Sequence, residues 1–184
     1  MPTPMRRRRR RTPEVGSACL SLGSNLAPER HLLAAAEALR AQFAAVRLSR
    51  VYRTAAIGFA GADFLNAAAV VETGMAPLVL DAWLHALEDA NGRDRSGPRF
   101  GDRTLDIDLV LYDDLVLSGP GNLRLPRPEL RHAFVLRPLA EIAADRVEPA
   151  SGRTLAQLWA VSPERDVALE AVDLPGWTGV ALPR

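Results

Sequence analysis

Between Arg103 and Leu111 the chain reads Arg-Thr-Leu-Asp-Ile-Asp-Leu-Val-Leu, and few conformations accommodate that pattern. On a β-strand successive side chains point to opposite faces, so Asp106 and Asp108 share one face while Leu105, Ile107 and Leu109 share the other. A strand of this kind needs a dry layer on one side and a polar environment on the other. Two carboxylates two residues apart on a strand lie roughly 6.6 Å from each other and repel by about 2.5 kcal/mol at an effective dielectric near 20. A divalent cation turns the repulsion into attraction, and oxygen-only ligands suit Mg²⁺, which is held by one or two carboxylates together with substrate phosphates. A solvated strand edge carrying charges is the other reading of the same residues.

The segment upstream bears on that choice. Arg93, Arg95, Arg99 and Arg103 stand among Gly92, Gly97, Pro98 and Gly101 with no apolar periodicity, the composition of a mobile basic loop. Arginines beside a carboxylate pair are what a bound polyphosphate requires, because guanidinium forks clamp phosphate oxygens while cations screen the charge that develops. The plainer alternative pairs those arginines with Asp94, Asp102, Asp113 and Asp114.

At 184 residues and 48% hydrophobic content the chain fits one domain, expected over residues 17–184 behind a disordered basic arm at 1–16. The formal net charge is +1, and with the six arginines Arg6 to Arg11 set aside the remainder is about −5, so the body is mildly acidic. Every basic residue is arginine; without lysine a Gly-x-x-x-x-Gly-Lys loop is impossible, which excludes a standard P-loop NTPase. The single cysteine, Cys19, lies in an apolar run, reads as a small buried hydrophobe and rules out a disulfide within the chain. Thr12, Pro13, Glu14 and Gly16 follow the arginines where a secretory apolar core would begin, and no stretch is long enough to span a membrane, so a cytoplasmic protein without a membrane partner is expected. The arginine arm carries no aromatic residues for stacking, and the body offers no basic stripe to match it, so nucleic acid is not an expected partner.

Along the chain, Ser17 to Leu22 reads as a strand ending at Gly23. A helix follows, with Ser24 or Asn25 as its cap, Pro28 in its first turn and Leu32, Ala36, Leu39 and Phe43 on one face. Val46 to Tyr52 and Phe64 to Thr73 read as strands around a loop at 55–63. Pro77 opens a second helix with Leu80, Leu84 and Leu87 facing the core, and Gly92 ends it. After the Asp106 strand come a turn at Asp113 and Asp114, a hairpin partner at 115–117, a short helix around 138–144 and another at 154–159. Strand, helix, strand, strand, helix, strand is the split βαβ order of the ferredoxin-like α+β fold, an antiparallel sheet with helices packed on one face.

Five segments, Ser21 to Leu26, Tyr52 to Thr54, Phe64 to Ala67, Arg103 to Leu109 and Phe134 to Leu139, resemble in order and spacing the 6-hydroxymethyl-7,8-dihydropterin pyrophosphokinases, and the resemblance runs from about Ala18 to Pro149. That family moves a pyrophosphoryl group from ATP to a pterin alcohol in folate biosynthesis, on a ferredoxin-like fold. The resemblance implies Asp106 and Asp108 as ligands of two Mg²⁺ ions on the ATP phosphates. It implies Arg93, Arg95 and Arg103 as catalytic cations on or beside the mobile loop, and Glu88, Leu109 and Arg127 as further ATP contacts. For the pterin it implies Thr54, Ile57, Phe64, Asn66 and Phe134, with the Asn66 amide reading the ring edge and Phe134 stacking on it. ATP and hydroxymethyl dihydropterin are then the small-molecule partners, and a monomer is expected. Ser24 and Asn25 stay outside the site as a helix cap. The chain departs from the family pattern at Asp102, where Pro is common, at Phe100, where some members have Trp, at Ala55 in place of a frequent Pro, and at Arg127 in place of a frequent His. The later basic contact to phosphate could fall to Arg127, Arg131 or His132. No histidine stands out as a general base. A nucleotidyltransferase also pairs Asp-x-Asp with a Gly-Ser turn, but there the turn closely precedes the carboxylates, whereas Gly23-Ser24 lies most of a domain away.

Overall fold

The computed structural model describes residues 15–179, apart from 57, 59, 95 and 97–100. The basic arm through residue 14 and the expected site residues Ile57 and Arg95 therefore lie outside the described residues, as does Phe100. Two strands rich in small apolar residues, β1 (Gly16–Ser24) and β4 (Phe64–Thr73), pair antiparallel along their whole length, Gly16 opposite Thr73 and Ser24 opposite Leu65. Between them in sequence lie α1 (Pro28–Gln42), β2 (Val46–Leu48) and β3 (Val51–Thr54), and after them α2 (Pro77–Ala90) and β5 (Asp106–Tyr112). β5 flanks β1, and β3 flanks β4, so the central order β3-β4-β1-β5 with all neighbours antiparallel is the split βαβ sheet expected from the element order.

The strand expected over Val46 to Tyr52 is broken at Ser49. That fully buried residue donates its N–H to the Ala68 carbonyl and takes the Ala68 N–H on its hydroxyl at 2.8 Å, so β2 and β3 both pair with β4 on either side of a kink. The segment after β5 also differs from its expectation. The turn at Asp113 and Asp114 forms, but β6 (Leu117–Ser118) pairs with β7 (Arg124–Leu125) and not with β5. A 3-10 turn at Pro128–Arg131 leads into α3 (Ala133–Ile142), which begins five residues before Pro138, because Glu164, far along the chain, accepts the Ala133 N–H at 2.7 Å and caps the helix. Beyond it follow β8 (Val147–Glu148), β9 (Arg153–Thr154), α4 (Leu155–Ala160) with a Thr154/Gln157 capping box, and β10 (Glu170–Val172), which adds to the sheet beside β3.

The sheet separates two apolar clusters. On one face Leu20, Leu22, Ala67, Ala69, Ile107 and Leu109 meet Leu32, Leu39, Leu80 and Leu84 of α1 and α2, as expected for helices on one side. On the other, Cys19, Ala68, Val70 and Val110 are covered by Val135, Leu136 and Leu139 of α3 and by Leu155 of α4, so the two later helices add a second, partial layer. Cys19 is fully buried there, and burial pushes its thiol up to about 11. The second layer leaves the near end of that face open. Among the described residues no helix is long and apolar enough to cross a membrane.

Candidate active site

The uncovered end of the sheet is where the chemistry-bearing residues collect. In register across three strands, Asn66 of β4 stands opposite Gly23 of β1, and Gly23 opposite Asp106 of β5; one step along, Ser21 stands opposite Asp108. Alternation puts Ile107 and Leu109 into the α1/α2 core and turns Asp106 and Asp108 to the open face, where their side chains are 33% and 26% exposed. The lack of a side chain at Gly23 matters there: a Cβ on it would come within 3.1 Å of the Asn66 Oδ1, a tight contact, and 3.8 Å of the Phe64 ring. The missing side chain keeps the floor between the amide and the carboxylates clear.

Three arginines converge on the carboxylates. Arg93, just after α2, reaches Asp106 at 3.1 Å and donates to the Leu105 carbonyl at 3.0 Å, while Arg103 reaches Asp106 at 3.3 Å. Arg127, its backbone fixed by an N–H bond to the Val110 carbonyl, holds Asp108 at 2.8 Å. Among the described residues, Asp94 accepts from Ser96, Asp102 accepts from Asn25, and Asp113 takes Arg146 and the Ser17 N–H, while Arg95 and Arg99 lie outside the described residues. Burial pushes the Asp108 carboxyl up to about 7, the adjacent Asp106 charge adds to the rise, and Arg127 opposes it. Of the three basic residues weighed for the later phosphate contact, Arg127 is the one joined to the carboxylate pair. His132 instead bonds Glu164 at 3.0 Å and Arg131 Nε donates to His132.

On the pterin side of the expected site, Asn66 is buried and its Nδ2 donates to the Thr54 hydroxyl at 2.7 Å. Phe64 begins the same strand opposite Thr54 and is half-buried. Phe134 opens α3 and stacks on His132 with ring centroids 5.4 Å apart and planes 9° from parallel.

Two of the expected ATP contacts have buried side chains. Leu109 is completely buried among α1 and α2 residues, on the sheet face away from the carboxylates, where its side chain supports β5. Glu88 is 3% exposed, and its carboxylate accepts the Ile107 N–H at 2.9 Å, so it anchors the carboxylate strand from behind. Ser24 and Asn25 do not cap α1. The cap position is Ala27, in a left-handed conformation with no side-chain bond, while Ser24 and Asn25 turn to the segment 102–104. Sequence reasoning thus missed Gly23, Ser24 and Asn25 as parts of the site's frame; their one signal was a polar pair closing an otherwise apolar strand.

The donor set fits a hard divalent cation. Asp106 and Asp108 offer only oxygen, share one accessible face and repel each other, and among the described residues no group of three or more His, Cys, Asp or Glu side chains could hold a metal unaided. A cation bound there would need further oxygens from a ligand, which is how Mg²⁺ meets polyphosphates.

The model of the 7,8-dihydro-6-hydroxymethylpterin-pyrophosphokinase family matches residues 19–144, which include Gly23, Asn66, Arg93, Arg103, Asp106, Asp108 and Arg127. The chain belongs to this family. It is similar to the 2-amino-4-hydroxy-6-hydroxymethyldihydropteridine pyrophosphokinase of Synechocystis sp., 38% identical over 145 residues that cover 77% of this chain and 73% of the relative. It is equally similar to that of Pseudomonas aeruginosa, 38% identical over 149 residues covering 78% and 90%. In structure the chain resembles the Plasmodium falciparum HPPK-DHPS with a TM-score of 0.61 and 12% identity over 83% of the chain, a likeness of fold; the match spans 46% of that larger protein.

Proposed function

We propose that the chain transfers the β,γ-pyrophosphoryl group of ATP to the hydroxymethyl oxygen of 6-hydroxymethyl-7,8-dihydropterin. The pterin oxygen forms a bond to the β-phosphorus, the bond from that phosphorus to the α-phosphate oxygen breaks, AMP leaves, and the hydroxyl proton passes to solvent. The observation that carries the reading is the row Asn66–Gly23–Asp106 across the open end of the sheet, which sets a buried amide and a carboxylate-arginine cluster on either side of a cleared floor.

Each half suits one substrate. An Asn amide offers two donors and an acceptor, enough to read the donor-acceptor edge of a pterin, and Thr54 fixes its orientation. Phe134 and Phe64 supply apolar surface for the ring. Arg93, Arg103 and Arg127, gathered on the carboxylate pair, would with Arg95 orient the triphosphate for in-line attack in this reading; for transfer of this kind positioning and charge stabilisation carry most of the rate. Mg²⁺, two ions in this reading, would be held by Asp106 and Asp108 and would supply neutralisation of the phosphate charge. Ile57, outside the described residues, belongs to the pterin contacts in the same reading, and a monomer is the state proposed.

The test is product analysis. Incubation with ATP, Mg²⁺ and hydroxymethyl dihydropterin is expected to give AMP and the pterin diphosphate in equal amounts. ADP with a pterin monophosphate would replace the reading by that of an ordinary kinase, and no pterin-dependent nucleotide product would overturn it.

A further inference from the structure

Asn25, 4% exposed at the end of β1, spends its whole side chain on two loops. Its Nδ2 donates to the Ala62 carbonyl at 3.2 Å and to Oδ1 of Asp102 at 2.7 Å, and its Oδ1 accepts the Arg103 N–H at 2.7 Å. Its backbone N–H and that of Leu26 both donate to the Arg103 carbonyl, at 3.0 and 3.1 Å. Ser24, fully buried, directs its hydroxyl at the Arg103 and Thr104 carbonyls. Arg103 is therefore gripped at both its N–H and its C=O, three residues before the carboxylate that its guanidinium meets. Both amide donors and the carbonyl oxygen are engaged, three of the four bonds such a side chain can form. One side chain joins the segment after Thr54 to the segment before Asp106.

We infer that Asn25, acting with Asp102, is a positioning residue of the transfer reaction. The pair fixes the backbone of Arg103 so that its guanidinium reaches the phosphates of bound ATP, and through Ala62 it ties that placement to the loop on the pterin side. This rests on the pyrophosphokinase reading. A helix-capping role would predict bonds to the first N–H groups of α1, and Asn25 makes none of these. Asp102 is exposed, so its carboxylate has no burial to satisfy, and what its bond to Asn25 contributes is the geometry of the residue that follows it.

The test measures affinity for α,β-methylene-ATP with Mg²⁺ and, separately, for the pterin, by calorimetry, with thermal unfolding followed alongside. Asp102→Ala is expected to weaken nucleotide binding about tenfold, equivalent to about 1.4 kcal/mol, and to leave the pterin within about twofold. Asp102→Asn, which keeps an acceptor oxygen, is expected to restore most of the loss. Asn25→Ala is expected to weaken both ligands because it also releases Ala62; should it fail to fold, the exposed Asp102 variants decide alone. On an Arg103→Ala background Asp102→Ala is expected to add nothing further, since it acts through that arginine. Unchanged nucleotide affinity in Asp102→Ala, or full additivity with Arg103→Ala, would overturn the inference. A wild-type protein that binds no ATP analogue would sink the pyrophosphokinase reading itself, an outcome distinct from variants that match a competent wild type.

Discussion

Arg127 reaches the carboxylate of Asp108 at 2.8 Å from a backbone position fixed by the Val110 carbonyl, so the cation and the strand it neutralises are held as one unit. Asp106, two residues earlier, is countered instead by Arg93 and Arg103. Each carboxylate thus carries its own guanidinium partners. In the proposed reading ATP and Mg²⁺ would draw those arginines from carboxylate to phosphate oxygens and leave Asp106 and Asp108 free to hold the cation. The arrangement favours binding of the metal and the nucleotide together over either alone.

Removing either acid breaks that exchange. Asp106→Ala and Asp108→Ala are each expected to lower Mg²⁺-dependent AMP formation by at least about 10²–10³ while the circular dichroism spectrum stays that of the wild type. Activity within tenfold of wild type in either variant would remove the residue from metal binding.

The pH response of the metal-free protein follows from Asp108. Its carboxyl is raised from 3.8 to about 7, first by burial and then by Asp106, so between those values the folded state keeps a proton that the unfolded chain has lost. The stabilisation is complete below about pH 4 and is lost as pH rises through about 7, with a ceiling of about 4 kcal/mol for a shift of this size. Thermal unfolding without Mg²⁺ is expected to occur at lower temperature at pH 8 than at pH 5.5. Asp108→Asn should flatten that slope, and a slope unchanged in Asp108→Asn would assign it to another group.

Gly23→Ala places a methyl 3.1 Å from the Asn66 Oδ1, inside ordinary contact distance, so the amide must give way. The expected result is a KM for the pterin raised about tenfold, with the KM for ATP changed far less and the unfolding temperature lowered by only a few degrees. Equal effects on both substrates would show that the floor serves the nucleotide as well.

Glu88→Ala would leave the buried Ile107 N–H without its acceptor, at a cost of about 1–3 kcal/mol, whereas Glu88→Gln keeps an acceptor oxygen. Chemical denaturation is expected to rank stability as wild type, then Gln, then Ala. If Glu88 instead touched the nucleotide, Gln would impair ATP binding while stability held.

What could be read from the sequence was whatever local periodicity controls. The alternation around Asp106 and Asp108 assigned both faces of β5 correctly, because a one-residue slip would have buried two acids. Leu80 and Leu84 showed the buried side of α2 for the same reason. Features set by distant partners were not legible. Val46 to Tyr52 alternates like one strand, and only the paired bonds of Ser49 to Ala68 reveal the kink. Pro138 suggested a helix start, while the true start depends on Glu164, some thirty residues on. Asn25 looked like a cap because Asn caps helices often, and its actual partners, Ala62 and Asp102, are 37 and 77 residues away. Leu109 belonged to a matching motif, yet the parity of its strand buries it.

The pairing of β10 with β3 has a consequence for synthesis. Arg53 and Tyr52 stand opposite Glu170 and Ala171, so the outer edge of the strand that carries Thr54 is completed by a segment far along the chain. Until residues 170–172 leave the ribosome, β3 presents an unpaired edge open to adventitious pairing. The sheet therefore takes its full width only after a long stretch of chain has followed β3 out of the exit tunnel.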